Sequence, residues 1–135
     1  MMFVTKRSEF SAAHRLNNPD FTPEKNIEVY DKCNNKYGHG HNYFLEVTVA
    51  GEVNPETGYL IDMRNLKRIV NTEIIEKVDH KNLNYEVDFL QRTNPTMENL
   101  IKIFWDLLVD KITEGRLYNI RLYENETSWV DYTGL

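Results

Sequence analysis

The sequence predicts an α+β fold in which a four-stranded antiparallel sheet carries two long helices on one face. Three features of the sequence support this fold. Four segments interleave apolar and polar residues as strands do, two longer segments place apolar residues at helical spacing, and no repeat or low-complexity tract interrupts them. A chain of 135 residues has the size of one domain, so we expect residues 1–135 to form a single domain.

The first strand is predicted over residues 2–14, where apolar and polar residues are interleaved and no helix or strand breaker occurs. Asn17-Asn18-Pro19 then stops it. Thr22-Pro23-Glu24 has the composition of a helix start, with a hydroxyl cap, a proline and an acid in the first turn. This helix is predicted to end near Asp31 and to deliver Cys33 into a loop.

A second strand is predicted over residues 42–53, whose apolar residues alternate with polar ones. A turn at Asn54-Pro55-Glu56-Thr57-Gly58 follows, and Tyr59-Leu60-Ile61 reads as a short strand. Asp62 is the expected cap of the first long helix, predicted over 63–78 from its apolar spacing.

The second long helix is predicted over residues 96–114, and Gly115 is expected to end it. Two last strands are predicted over 117–124 and 128–133, joined by a tight turn at Asn125-Glu126. Both helices would cover the same sheet face. The other face carries enough aromatic residues and valines to predict that it is buried between subunits.

Composition excludes several classes of function. The net charge is -5 with no Lys/Arg-rich run, which disfavours nucleic acid and anionic membranes as main partners. No apolar run reaches the roughly 20 residues that cross a bilayer, and the N-terminus lacks the features of a secretory signal. The single cysteine cannot form an internal disulfide, which fits a reducing cytoplasm.

Three histidines form the candidate metal site. His39 and His41 lie two residues apart at the start of a strand, so both imidazoles point to one face. If the first two strands pair antiparallel, His14 at the end of the first lies beside them. Three histidines with an open fourth position are typical of catalytic zinc. The alternative is a set of ordinary polar residues at strand ends.

Two further segments carry proton-transfer chemistry. Cys33 lies in an asparagine-rich loop six residues before His39, an unusual place for a core cysteine, and a nearby metal or histidine would favour its thiolate. Asp79 next to His80 could fix the histidine tautomer and raise its basicity. The alternatives are a small buried residue for Cys33 and a plain surface loop for the Asp-His pair.

Two residues are candidate ligand contacts. Glu124 shares strand parity with Ile120 and Leu122, and a carboxylate on an apolar face requires a partner such as a ligand with paired N–H donors. A strand end where parity no longer holds is the alternative. Thr96, near Pro95, could contact a ligand or merely cap the second long helix.

Together these residues resemble the 6-pyruvoyl-tetrahydropterin synthase family. The matching segments, which span nearly the whole chain, are Phe10-Ser11-Ala12-Ala13-His14-Arg15-Leu16, Cys33-Asn34-Asn35, Gly38-His39-Gly40-His41-Asn42-Tyr43, Asp79-His80, Leu83-Asn84, Pro95-Thr96, Glu98-Asn99 and Tyr123-Glu124. The resemblance implies the tunnelling fold (T-fold), whose subunits form a barrel-like trimer and, as two stacked trimers, a hexamer. It also implies 7,8-dihydroneopterin triphosphate as substrate and elimination of triphosphate.

The resemblance further assigns roles to the candidate residues. Zinc would be held by three histidines, a cysteine would act as general base beside an Asp-His pair from across a subunit boundary, and a glutamate would anchor the pterin ring near a threonine. The residues concerned are His14, His39, His41, Cys33, Asp79, His80, Glu124 and Thr96. The bases that bind triphosphate have no recognisable motif, and the candidates are Lys6, Arg7, Arg15 and Lys36.

The resemblance leaves the product open between two branches of the family. One branch makes 6-pyruvoyl-tetrahydropterin. The other, 6-carboxy-tetrahydropterin synthase, also releases acetaldehyde, serves queuosine biosynthesis and usually has its cysteine four residues before the histidine pair. The gap of six from Cys33 to His39 favours the pyruvoyl product. A non-catalytic zinc- or pterin-binding oligomer of the same fold is a third possibility.

Overall fold

The structure, a computed structural model, describes all 135 residues. The strands are β1 Met2–His14, β2 His39–Gly51, β3 Lys81–Asn82, β4 Arg116–Asn125 and β5 Ser128–Tyr132. The helices are α1 Pro23–Tyr30, α2, which comprises Met63–Val70, a π-helical turn Asn71–Ile75 and Glu76–Val78, and α3 Met97–Leu108. Short 3₁₀ turns lie at Asp31–Asn34 and Asp88–Leu90.

One sheet organises the molecule, with the strand order β3-β1-β2-β4-β5. β1 and β2 pair antiparallel without interruption from Met2 opposite Gly51 to His14 opposite His39. β2 also pairs antiparallel with β4, and β4 with β5, so the four predicted antiparallel strands are confirmed. The bounds of the second differ, since β2 runs from His39 to Gly51 and not over 42–53. A fifth strand was not predicted: the two residues of β3 run parallel to β1 and extend the sheet at its edge.

The prediction of a short strand at Tyr59-Leu60-Ile61 was wrong. The amide of Asn54 donates to the carbonyl oxygen of Tyr59 at 2.8 Å, so this segment closes its own loop instead of joining the sheet. Leu60 and Ile61 are nevertheless buried in the core, and their burial accounts for the apolar pattern from which a strand was predicted. Burial alone produces an apolar triplet, and only the hydrogen-bond partner distinguishes strand from loop.

The long helices begin where their caps predict. The Asp62 carboxylate accepts the amide of Arg64 at 2.9 Å at the start of α2, which then continues to Val78 as predicted. α3 was predicted to reach residue 114 but ends at Leu108. Residues 109–111 are exposed, so they gain nothing from a further helical turn against the core.

The core lies between the helices and one sheet face and contains 24 buried apolar residues. Phe10 stacks on Tyr43 with ring centroids 4.7 Å apart, and Phe104 from α3 meets Phe10 edge-on. The opposite sheet face is mixed, with the Arg7 guanidinium 4.0 Å above the Phe44 ring. Its burial between subunits stays a prediction. No helix combines the length and apolar character that a membrane span requires.

Candidate active site

The sheet brings the three histidines together at the end of the core. In the β1–β2 register, His14 lies opposite His39 and Ala12 opposite His41. All three imidazoles point to the core face, because residues with the same parity on paired strands share a face. The ring centroids are 4.7 Å apart for His14 and His39, 5.1 Å for His14 and His41, and 4.8 Å for His39 and His41.

A backbone carbonyl orients His14, which is fully buried. Its Nδ1 lies 2.8 Å from the carbonyl oxygen of Pro95, so Nδ1–H donates and Nε2 keeps its lone pair. The hydroxyl of Tyr43 lies 3.3 Å from the same Nδ1. Burial lowers the pKa of His14 to about 4, so the neutral ring is the stable form at neutral pH. A neutral imidazole is the form that binds metals.

The free nitrogens of this cluster fit a metal ion. His14 Nε2, His39 Nδ1 and His41 Nε2 are buried and have no hydrogen-bond partner in the protein. Buried polar atoms are normally satisfied, and these nitrogens belong to a group of possible ligand atoms within 4.8 Å of one another, so the cluster is suited to a shared ligand. A cation held by three imidazoles satisfies all of them at once, and three histidines with an open position suit zinc.

Glu124 completes this cluster. It reaches the core face from β4, where a register shift lies between Tyr123 and Asn125. Its Oε1 lies 3.0 Å from His41 Nε2, without the alignment of a hydrogen bond. The possible ligand atoms of Glu124 and the three histidines lie within 4.8 Å of one another. The carboxylate can therefore ligate the metal or accept N–H donors from a bound molecule.

Cys33 lies in the 3₁₀ turn Asp31–Asn34 and is half-buried. The amide of Leu16, two residues after His14, donates to the Cys33 carbonyl oxygen at 2.9 Å. Burial, and then the charges of Glu124 and Asp31, raise the pKa of the thiol. The lower pKa expected from the sequence depends on a nearby metal or histidine, and that expectation stays a prediction. A ligand that neutralises Glu124 removes one cause of the rise.

Asp79 and His80 lie apart from the histidine cluster, at the outer edge of the sheet. The Asp79 carboxylate accepts the amide of Ser11 at 2.9 Å and lies 3.0 Å from His80 Nδ1. These contacts lower the pKa of Asp79, with the Ser11 amide as the largest cause. His80 adopts a positive φ of 61°, and its side chain is 83% exposed. The pair is therefore accessible to a second molecule at this edge.

Thr96 caps α3, since its hydroxyl accepts the amide of Asn99 at 3.1 Å. The structure thus contains the hydrogen bond that the capping alternative predicts. The neighbouring Pro95 holds His14, a role that sequence reasoning missed because a backbone carbonyl leaves no trace in residue type. Tyr43 was missed as well, although its place two residues after His41 puts it on the same strand face.

A basic cavity of about 540 Å³ lies beside the Cys33 turn. Arg15, Lys32 and Lys36 line it, with Asp31 as the one acidic lining residue. Of the candidate anion-binding residues, Arg15 and Lys36 lie here. Lys6 and Arg7 lie at least seven positions before His14 on β1, roughly 20 Å along the strand.

Comparisons with known proteins place the chain among similar sequences and folds. The family model described as 6-pyruvoyl tetrahydropterin synthase matches residues 3–135. The 6-pyruvoyl tetrahydrobiopterin synthase of Drosophila melanogaster is 38% identical over 133 residues, which cover 98% of this chain and 79% of the relative. A 6-carboxy-5,6,7,8-tetrahydropterin synthase of Rickettsia bellii is 27% identical and covers 97% of this chain and 99% of its own.

The fold agrees with a solved structure of similar sequence. The structure of Caenorhabditis elegans 6-pyruvoyl tetrahydropterin synthase superposes with a TM-score of 0.93 at 33% identity. The match covers 99% of this chain and 96% of the other. Since two chains with this much in common share their backbone path nearly throughout, the elements that carry the histidine cluster are part of a common architecture.

Proposed function

The chain belongs to the 6-pyruvoyl tetrahydropterin synthase family, and we propose that it converts 7,8-dihydroneopterin triphosphate to 6-pyruvoyl-tetrahydropterin. Such an enzyme is a lyase, because triphosphate leaves by elimination. The observation that carries the proposal is the cluster of three buried imidazole nitrogens without hydrogen-bond partners, with a carboxylate 3.0 Å from one of them and a thiol nearby. This set combines metal binding, proton transfer and ligand anchoring in one place.

The metal of this proposal is zinc, held by His14, His39 and His41. When bound, it supplies Lewis acidity to the hydroxyl groups of the substrate side chain. The Pro95 carbonyl fixes the His14 tautomer that leaves Nε2 free. The low pKa of His14 keeps that nitrogen unprotonated at neutral pH.

Cys33 is the proposed general base, which takes a proton from one side-chain carbon of the substrate and returns it to the neighbouring carbon. Glu124 is proposed to accept the paired N–H donors of the pterin ring. Burial is the largest cause of the raised pKa of Cys33 and the Glu124 charge is the second, so hydrogen bonds from the pterin ring to this carboxylate would weaken only the second cause.

Asp79 and His80 are proposed to join the site from a neighbouring subunit. In one subunit they occupy the sheet edge, away from the histidine cluster, and the His80 imidazole is open to contact. Asp79 holds Nδ1 of His80, so Nε2 is available to exchange a proton with a partner. This proposal requires an oligomer, a trimer or hexamer, in which the sheet edge of one subunit meets the histidine cluster of the next.

Triphosphate is proposed to lie in the basic cavity lined by Arg15, Lys32 and Lys36. Arg15 directly follows the metal ligand His14, and Lys32 directly precedes Cys33. A chain of net charge -5 repels a polyanion overall, so a local excess of cations is what a triphosphate substrate requires. Thr96 is proposed to border the pterin pocket while it caps α3.

The pyruvoyl product is favoured over the carboxy product by two observations. The chain is 38% identical to the fly pyruvoyl synthase and 27% identical to the rickettsial carboxy synthase. Cys33 also precedes His39 by six residues, where the carboxy branch usually has four. The carboxy reaction remains the second candidate because a relative of that name aligns over nearly the full chain.

The deciding experiment is mass spectrometry of the products formed by zinc-loaded protein from 7,8-dihydroneopterin triphosphate. We expect 6-pyruvoyl-tetrahydropterin and free triphosphate, without acetaldehyde. A 6-carboxy-tetrahydropterin product with acetaldehyde would establish the second candidate instead. Unchanged substrate, with stoichiometric zinc bound, would overturn both and leave a non-catalytic binding protein.

A further inference from the structure

The segment that follows His14 leaves the sheet, and asparagine side chains replace the hydrogen bonds of a strand partner. The Asn84 amide bonds both the amide and the carbonyl of Arg15 at 2.8 Å each. The Asn26 amide does the same for Asn18, at 2.8 Å and 3.0 Å. Residues 15–18 are therefore fixed in place although no strand runs beside them.

Asn34 is the member of this network that reaches the Cys33 turn. It is 7% exposed, and its Nδ2 donates to the carbonyl oxygen of Leu16 at 2.8 Å and to Oδ1 of Asn17 at 2.9 Å. Both amide hydrogens are thus used. Because a buried donor without a partner is costly, these two bonds specify where the Asn34 side chain lies.

Two backbone contacts run alongside the Asn34 amide. Leu16 donates its amide to the carbonyl oxygen of Cys33 at 2.9 Å. Arg15 Nε donates to the carbonyl oxygen of Asn34, also at 2.9 Å. Four hydrogen bonds therefore connect the Cys33–Asn34 turn to the three residues directly after a histidine of the metal cluster.

We propose that Asn34 is a positioning residue that holds the Cys33 thiol at a fixed distance from the three-histidine cluster. The inference rests on the proposed role of Cys33 as general base, and it assigns to Asn34 the task of holding that base in place. Asn34 and Asn35 both line the basic cavity proposed for triphosphate, so a loss of cavity contacts would affect both variants, whereas a loss of the tie affects only Asn34→Ala. A misplacement of about 1 Å can cost an enzyme 100-fold in rate, so a short turn that carries the base requires such a tie.

Asn35 provides a matched control in the same turn. It is exposed, and its Oδ1 accepts only the amide of Tyr37, at 3.2 Å, within its own loop. Asn34→Ala and Asn35→Ala therefore remove the same chemical group from adjacent positions, but only the first removes the connection to Leu16 and Asn17.

The test compares both variants with the wild-type chain, all zinc-loaded. Hydrogen exchange at the Leu16 amide, measured by NMR, should be about tenfold faster in Asn34→Ala and unchanged in Asn35→Ala. Alkylation of Cys33 by iodoacetamide should accelerate several-fold in Asn34→Ala alone, because the loosened turn exposes the thiol. With substrate, kcat should fall between about 10-fold and 100-fold while KM and zinc content are retained.

Equal exchange and equal alkylation in the two alanine variants would overturn the proposal, whether or not the protein turns over substrate. Faster exchange with unchanged alkylation and kcat would also overturn it, since Asn34 would then serve the fold alone. If wild type shows no turnover, the proposed function fails, and the alkylation comparison still decides whether Asn34 positions the thiol. Should Asn34→Ala not fold, Asn17→Ala removes one acceptor and should accelerate alkylation about threefold, with equal rates overturning the proposal.

Discussion

Two neighbouring regions of the molecule position their side chains by different means. Along β1 and β2, a regular backbone ladder pairs every residue from Met2 to His14 with a partner on the other strand. In residues 15–18, directly beyond that ladder, side-chain amides of asparagines from distant segments make the hydrogen bonds instead. The first region delivers the three histidines, and the second holds the turn that carries Cys33.

This difference shows which part of the site depends on residue identity and which part depends only on backbone pairing. A ladder accepts most residues, because its bonds involve only the backbone, so the histidines need only the right parity. The amide-linked region depends on the identity of each asparagine, since other side chains rarely offer both donor and acceptor in that geometry. We therefore expect substitutions in the ladder region to act through metal binding and those in the amide-linked region to act through the thiol.

The largest expected effect concerns the β1–β2 ladder and the histidines that it carries. His39→Ala should lower zinc affinity by more than about 100-fold, because it removes a ligand rather than an outer contact. Zinc stoichiometry after dialysis against a chelator measures it. His80→Ala is the matched control and should keep its zinc, since His80 lies outside the cluster.

The Glu124→Gln variant distinguishes a substrate anchor from a metal ligand. If Glu124 anchors the substrate, as proposed, this variant keeps zinc and raises KM. Loss of zinc in Glu124→Gln would make the carboxylate a metal ligand, and full zinc retention in His39→Ala would contradict the assignment of the histidines.

A pair of glycines tests whether the loop before β2 packs tightly against the backbone of His14. Gly38 and Gly58 both have a positive φ, 77° and 78°, but a Cβ at Gly38 would lie 3.0 Å from the His14 carbonyl oxygen and one at Gly58 meets nothing. Gly58→Ala should cost about 1 kcal/mol in the free energy of unfolding and Gly38→Ala about 2 kcal/mol. Urea denaturation measures both.

Zinc affinity provides the second measurement on this pair. It should fall about tenfold in Gly38→Ala only, because pressure on the His14 backbone shifts a ligand. Equal effects of the two substitutions on stability and zinc would show that the contact with His14 has no consequence.

The smallest expected effect concerns a side chain that extends the ladder. The Asp79 carboxylate accepts the Ser11 amide, as the carbonyl of a neighbouring strand would do. This hydrogen bond is the largest cause of the lowered pKa of Asp79. Because the unfolded chain binds the proton more readily, the stabilisation is complete above the ordinary aspartate pKa and is lost as the pH falls through the lower folded value. The carboxylate is 37% exposed, so solvent screening limits the effect.

Asp79→Asn should therefore lower the free energy of unfolding by about 0.5–1 kcal/mol at pH 7. The difference from wild type should disappear in strong acid, where both side chains are uncharged. Urea denaturation as a function of pH measures it, and a difference that persisted below the folded pKa would contradict the role of the charge.

The ladder region was predictable from the sequence, and the amide-linked region was not. His14 could be placed beside His39 and His41 because antiparallel pairing of two strands fixes which ends meet. The orientation of Glu124 followed from its parity with Leu122. By contrast, nothing in a list of asparagines shows which backbone groups they bond, so the tie from Asn34 to Leu16 appears only in the structure.

Other differences have the same origin. The Pro95 carbonyl that orients His14 is a backbone group and has no signature in residue type. The two-residue β3 is too short for periodicity to reveal. The rise in the pKa of Cys33 comes first from burial and then from Glu124, which is distant in the sequence and comes close only through the fold.

The central claim is that a metal site built by the ladder and a thiol held by the amide network act together on one substrate. The most direct test is the steady-state turnover of 7,8-dihydroneopterin triphosphate by Cys33→Ala, with its zinc content measured on the same sample. We predict stoichiometric zinc and a kcat reduced by about 10²–10⁴-fold, the contribution expected of a general base. Turnover at the wild-type rate by a zinc-loaded Cys33→Ala protein would contradict the account.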